Sequence, residues 1–166
     1  MTTDTSGSGR EHGRSRYPAP PAVVLWAVGA EGEPRFERTA VGADIGPRLL
    51  DADNLRDAAV LAHRMRGDGA VLPILRIDTT ATGSGQRSAA RSELTFSSTP
   101  RLLAGLIADA VRVGVARGAV LRTLGGARRA DELLEAVAEH LRAAGFDVAR
   151  DIAGWQLRVD VPLRTH

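Results

Sequence analysis

The stretch TPRLLAGLIADAVRVGVARGAVLRTLGGARRADELLEAVAEHLRAAG, residues 99–145, decides how the chain is read. Thr99 offers a hydroxyl to the orphan amides of a helix start, and Pro100 has a fixed φ suited to the first helical position. Leu102, Leu103, Leu106, Ile107, Ala110 and Val111 then recur on one face of a 3.6-residue repeat, with Val113 and Gly114 closing the pattern. Asp131 to Ala144 reads as the cleaner helix of the pair. Leu133, Leu134, Val137, Leu141 and Ala144 make its apolar face, and Asp131, Glu132, Glu135 and Glu139 stand opposite, toward the positive end of the helix dipole. Between the two, Arg117 falls where the apolar face of a continued helix would be, and Gly118 follows. The spacing therefore predicts a break near Ala116 and a second short helix from Ala119 to Leu124, closed by Gly125-Gly126.

Upstream, Asp51 to Arg66 carries Leu55, Ala58, Ala59, Ala62 and Met65 at helical spacing, with Asp51 or Asp53 as the expected cap and Gly67 as the stop. Val71 to Ile77 is almost continuously apolar, the pattern of a strand covered on both faces. Pro73 cannot donate to a ladder and places that strand at an edge or a bulge. Thr79 to Arg91 has no periodicity and reads as a surface loop, and Glu93 to Ser97 as a short strand. At the two ends, Val23–Val28 with Arg35–Val41, and Phe146–Ile152 with Trp155–Val161, each read as a hairpin. Mixed order with terminal hairpins points to an α+β two-layer sandwich, with a mixed, mainly antiparallel sheet and helices packed on one face. The expected organisation is a disordered tail over 1–21, one domain over 22–162 and a short tail over 163–166.

A chain of 166 residues is the size of one domain. No run of apolar residues reaches the ~18 needed for a membrane span, so a soluble cytoplasmic protein without a membrane partner is expected. The absence of cysteine excludes disulfides and thiolate chemistry. All 22 basic residues are arginine, the bias of a GC-rich genome, and the formal charge is only +2.

The search for chemistry removes many enzyme classes. There is no lysine for a Schiff base, no H-E-x-x-H, no nucleophile elbow and no P-loop. Gly83-Ser84-Gly85-Gln86-Arg87-Ser88 departs from the dinucleotide fingerprint. His63 and His140 fall on the boundaries of helical faces without a partner at diagnostic spacing, and Asp51, Asp53 and Asp57 suit capping better than a cation site. No catalytic, cofactor-binding or metal-ligating residue is assigned, and no cofactor is implied.

Charge is distributed more informatively. Residues 101–129 hold six arginines against Asp109, a local +5, whereas residues 131–139 hold four acids and no base, a local −4. Either these neutralise one another within the fold or they dock something of opposite charge. The leading expectation is a small binding or regulatory protein working through protein contacts, as a homodimer or with another protein. The alternative is nucleic-acid binding by Arg101, Arg112, Arg117, Arg122, Arg128 and Arg129 with Arg87 and Arg91. Leu141 to Val148 followed by Gly154-Trp155-Gln156-Leu157 resembles the end of a winged-helix domain, a helix running into a two-stranded wing. That resemblance implies a DNA-reading helix, but here the helix carries four acids, which phosphates repel. A third expectation is an enzyme or ligand carrier with a pocket near His63 or residues 83–88.

Overall fold

Residues 23–28, Val-Val-Leu-Trp-Ala-Val, are apolar on both sides of an extended chain, and a strand of that kind belongs inside a sheet rather than in a hairpin. The computed structural model, which describes residues 21–42, 46–67, 71–79, 94–95 and 99–160, puts it there. In chain order its elements are β1 (Ala22–Gly29), β2 (Glu33–Arg38), β3 (Gly46–Leu50), α1 (Leu55–Gly67), β4 (Val71–Asp78), β5 (Leu94–Thr95), α2 (Pro100–Arg112), β6 (Gly118–Thr123), α3 (Ala127–Ala143), β7 (Asp147–Ala149) and β8 (Trp155–Asp160). The expected tails over 1–21, apart from Pro21, and over 163–166, and the loop with Gly83 to Ser88, Arg87 and Arg91, lie outside the described residues.

The main sheet runs β3-β4-β6-β1-β7, with β5 beside the end of β4, and every pairing in it is parallel. The expectation of a mainly antiparallel sheet is therefore corrected. Helices α1, α2 and α3 each return the chain to the start of the next strand, so successive strands point the same way. Among the described residues neither terminal hairpin forms a ladder, and the second keeps only the antiparallel bridge Ile152↔Trp155 at its turn. β2 leaves β1, crosses to the other face of the sheet and pairs antiparallel with β8, from Glu33↔Asp160 to Arg38↔Trp155. β7 pairs instead with β1, so the helix-and-wing pattern of a winged-helix end is also absent.

Helices on one face is what the structure has. Val23, Leu25, Leu75, Ile77, Ala119 and Leu121 face α1, α2 and α3. Val28, Ile74 and Val120 face the β2–β8 ribbon, where Trp26, Phe36, Leu49 and Leu157 complete a smaller core. The molecule thus has three layers, the third a ribbon of two strands. Along β8, Trp155 and Leu157 turn inward as the alternation predicts, but Val159 is exposed.

Residues 119–123 are the sharpest correction. The expected short helix is β6, buried at all six positions between β4 and β1. Pro73 likewise sits in an interior strand. An extended residue points its N–H and C=O to the same side, and the Pro73 carbonyl accepts from Arg117 N at 2.8 Å, one position before the β4–β6 register begins at Ile74↔Gly118. The missing N–H therefore falls where no ladder bond is due. At the head of α1, the cap is Asn54 rather than Asp51 or Asp53: its Oδ1 accepts from Asp57 N at 3.0 Å and its Nδ2 donates to Asp57 Oδ2 at 2.8 Å. Thr99 caps α2 as expected, accepting from Leu102 N at 3.4 Å. α3 begins four residues earlier than the acidic pattern suggested, with Gly126 as its N-cap.

Candidate anion-binding cleft

In a parallel sheet with returning helices, all three helices end beside the strand N-termini. The last turns of α1 and α2 carry Arg64 and Arg66, and Arg112, respectively. A cation beside a helix C-terminus complements the dipole, which accounts for each of these locally. Their convergence has a further cause. α2 terminates through Gly114 in the left-handed region, φ +74, a conformation that favours glycine. The Gly114 carbonyl accepts from Arg66 Nη2, tying the end of α1 to the end of α2.

Arg117 completes the group from outside both helices. Its N–H donates to Pro73 O and its carbonyl accepts from Val24 N at 3.0 Å, so its backbone is pinned between β4 and β1. Val71 and Pro73 are in step with Leu75 and Ile77 along β4, which face the helices, and Arg117 meets them on that side of the sheet. Together Arg66, Arg112 and Arg117 line a cleft of about 350 Å³ whose remaining lining is Val71, Pro73, Val111 and Gly114. Among the described residues no carboxylate lines it. The two helix C-termini oppose the guanidiniums with roughly half a negative charge each, too little to cancel three full positive charges.

The side chains differ in how firmly they are held. The Arg112 guanidinium lies over the Phe146 ring, 5.1 Å from its centroid, and it is 3.5 Å from exposed Asp109. Arg117 has no carboxylate partner among the described residues. The positive surface continues along the outer face of α1, where Arg56, Val60, His63 and Arg64 are exposed at helical spacing. Arg56 and Arg64 also have no carboxylate partner among the described residues. Asp57, the acid of this helix, is turned to Asn54.

Other arginines singled out in the sequence go elsewhere. Arg101, in the first turn of α2, and Arg128 and Arg129, in the first turn of α3, are exposed at the opposite end of the sheet, with Arg128 3.6 Å from Glu132. Arg122 is buried under the ribbon, its Nη2 3.6 Å from Glu33 Oε2 and its Nη1 donating to Ala30 O at 3.2 Å. Arg76, which the sequence reading passed over, shares Glu33 and lies 3.0 Å from Asp51. Thus residues 101–129 form no continuous patch, and Arg112 and Arg117 join Arg66, which the sequence reading also missed. The signal was present in the last turn of α1, where two arginines follow an alanine stripe. Two of the four acids of α3 are engaged near home: Glu132 with Arg128, and Glu135 with Arg142 at 3.9 Å and with Arg150.

His63 and His140 are exposed. No group of three or more acidic or histidine side chains that could hold a metal ion occurs among the described residues, nor does a helix long and apolar enough to cross a membrane. No protein-family model, curated protein or solved structure matches this chain.

Proposed function

We propose that this chain is a nucleic-acid-binding protein of parallel α/β architecture whose site is the arginine cleft between the ends of α1 and α2. The observation that carries the reading is the convergence of Arg66, Arg112 and Arg117 on one cleft, with no carboxylate lining it among the described residues. The guanidinium fork matches phosphate geometry, and phosphate contacts dominate nucleic-acid affinity. Arg64 and Arg56 extend the charge over ~15 Å of helix, a length that suits a polymer of phosphates better than one isolated anion. A protein partner finds less to hold, because the exposed Val60, Leu102, Val113, Leu124 and Val159 are scattered over separate elements instead of forming one apolar patch.

The test is fluorescence anisotropy with labelled mixed-sequence RNA and DNA at low and near-physiological salt. Micromolar or tighter binding at low salt is expected, weakening as salt rises. Replacing Arg66 and Arg117 together by glutamate should lower the affinity at least tenfold. No binding of any nucleic acid at low salt would overturn the proposal and make an acidic protein surface the better partner for the same cleft.

A further inference from the structure

We infer that the cleft takes a single strand, with one nucleotide unstacked into it, rather than a duplex. This rests on the nucleic-acid reading above and adds the form of nucleic acid. Three features of the same place carry it. The cleft is concave and holds about 350 Å³, near the lower end of the ~300–1,000 Å³ range of sites that enclose a small ligand. A rigid duplex meets proteins with its phosphates and groove edges, and its stacked bases cannot enter such a recess.

The lining is also two-sided in chemistry. Three arginines share the lining with Val71, Pro73 and Val111. Phosphate alone has no use for apolar lining, whereas a splayed base has an apolar face to lay against it. Finally, Arg112 has its guanidinium over the Phe146 ring, 5.1 Å from the centroid, while about half of its side chain remains exposed. An exposed guanidinium that an aromatic ring holds from one side can stack on a base from the other. Arg117 and Arg66 then hold the phosphates that flank the unstacked nucleotide. Arg64 and Arg56 follow the strand along α1.

Anisotropy with a labelled ten-nucleotide single strand, the corresponding duplex and inorganic polyphosphate as competitor tests this. The single strand is expected to bind at least tenfold tighter than the duplex and to be displaced poorly by polyphosphate. Arg112→Lys keeps the charge and removes the planar face, so single-strand affinity should fall severalfold while duplex affinity stays the same. Val71→Ser, with folding checked by circular dichroism, should act in the same direction through the apolar lining. Equal affinity for single strand and duplex, or polyphosphate displacing the strand as effectively as unlabelled strand does, overturns this inference and leaves the nucleic-acid reading standing. No binding of either form overturns both.

Discussion

Gly118 lies against the backbone of Val24 so closely that a Cβ on Gly118 would overlap the Val24 carbonyl oxygen and stand 2.8 Å from its carbonyl carbon and 3.0 Å from its nitrogen. The two residues are register partners at the start of the β1–β6 ladder, the pairing that joins the middle of the sheet. Neither backbone can retreat without disturbing the buried Leu25 and Ala119 beside them. Gly118→Ala is expected to destabilise the fold by about 3 kcal/mol in urea unfolding. The sign is informative, because a glycine inside a helix gains roughly 1 kcal/mol on replacement by alanine. An unchanged or raised midpoint would contradict the strand.

Glu33 serves two arginines at once. Arg76 and Arg122, with side chains only 8% and 7% exposed, both reach its carboxylate from adjacent strands beneath the ribbon. Removing one member of a buried ionic group costs about 3–5 kcal/mol, because the partner charge stays out of water. Glu33 itself is 41% exposed, and Arg76 also has Asp51, so Glu33→Gln is expected to cost about 2 kcal/mol. Glu37→Gln, which removes an exposed partner of Arg35 and Arg158, should cost less than about 0.5 kcal/mol. Urea midpoints of the two variants at neutral pH compare them directly, and equal costs would mean that Glu33 is not the keystone of the ribbon.

The cap of α1 separates neighbouring residues of similar type. Asn54→Ala removes both arms of the exchange with Asp57 and should cost about 1 kcal/mol. Asp53→Ala, one residue upstream, should stay within about 0.5 kcal/mol. Thr99→Ala at α2 is expected between the two, since its bond to Leu102 N is long at 3.4 Å. Thermal or urea unfolding of the three variants gives the order, and a larger loss at Asp53 than at Asn54 would move the helix start back to where the sequence pattern put it.

These cases show which parts of the fold local sequence could declare. α2 and α3 were legible because their burial is one-sided and repeats within the helix itself, from Leu103 to Val111 and from Leu134 to Leu141. Strand pairing was not, because it is decided by residues far apart: Val24 meets Gly118 and Val23 meets Val148, while β2, adjacent in sequence to β1, pairs with β8. The doubly apolar run at residues 23–28 did carry the sign of an interior parallel strand, but nearness in sequence favoured a hairpin. β6 was hidden for a chemical reason. Arg122 makes Gly-Ala-Val-Leu-Arg-Thr look amphipathic, and its burial makes sense only with Glu33 in place on the facing ribbon. The cleft was half visible, since Arg112 and Arg117 stood out by charge while Arg66 joins them only through the fold.

The two ends of the sheet can be told apart by salt. Each phosphate of a single strand that the protein neutralises, releasing its counterion, contributes about −0.7 to the slope of log K against log salt. If Arg66 and Arg117 hold phosphates with help from Arg64 and Arg56, the slope for a short single strand should lie at roughly −3. Replacing Arg66 and Arg117 together by alanine should flatten it by about 1.4, because two of those contacts are lost. Arg128→Ala with Arg129→Ala alters an equal charge at the far end of α3, where both side chains are exposed, and should leave the slope unchanged. Arg122 is unsuitable for this comparison, since its burial against Glu33 makes its removal a stability experiment. Should both double variants flatten the slope equally, the strand would be held by overall charge and the cleft would lose its claim as the site.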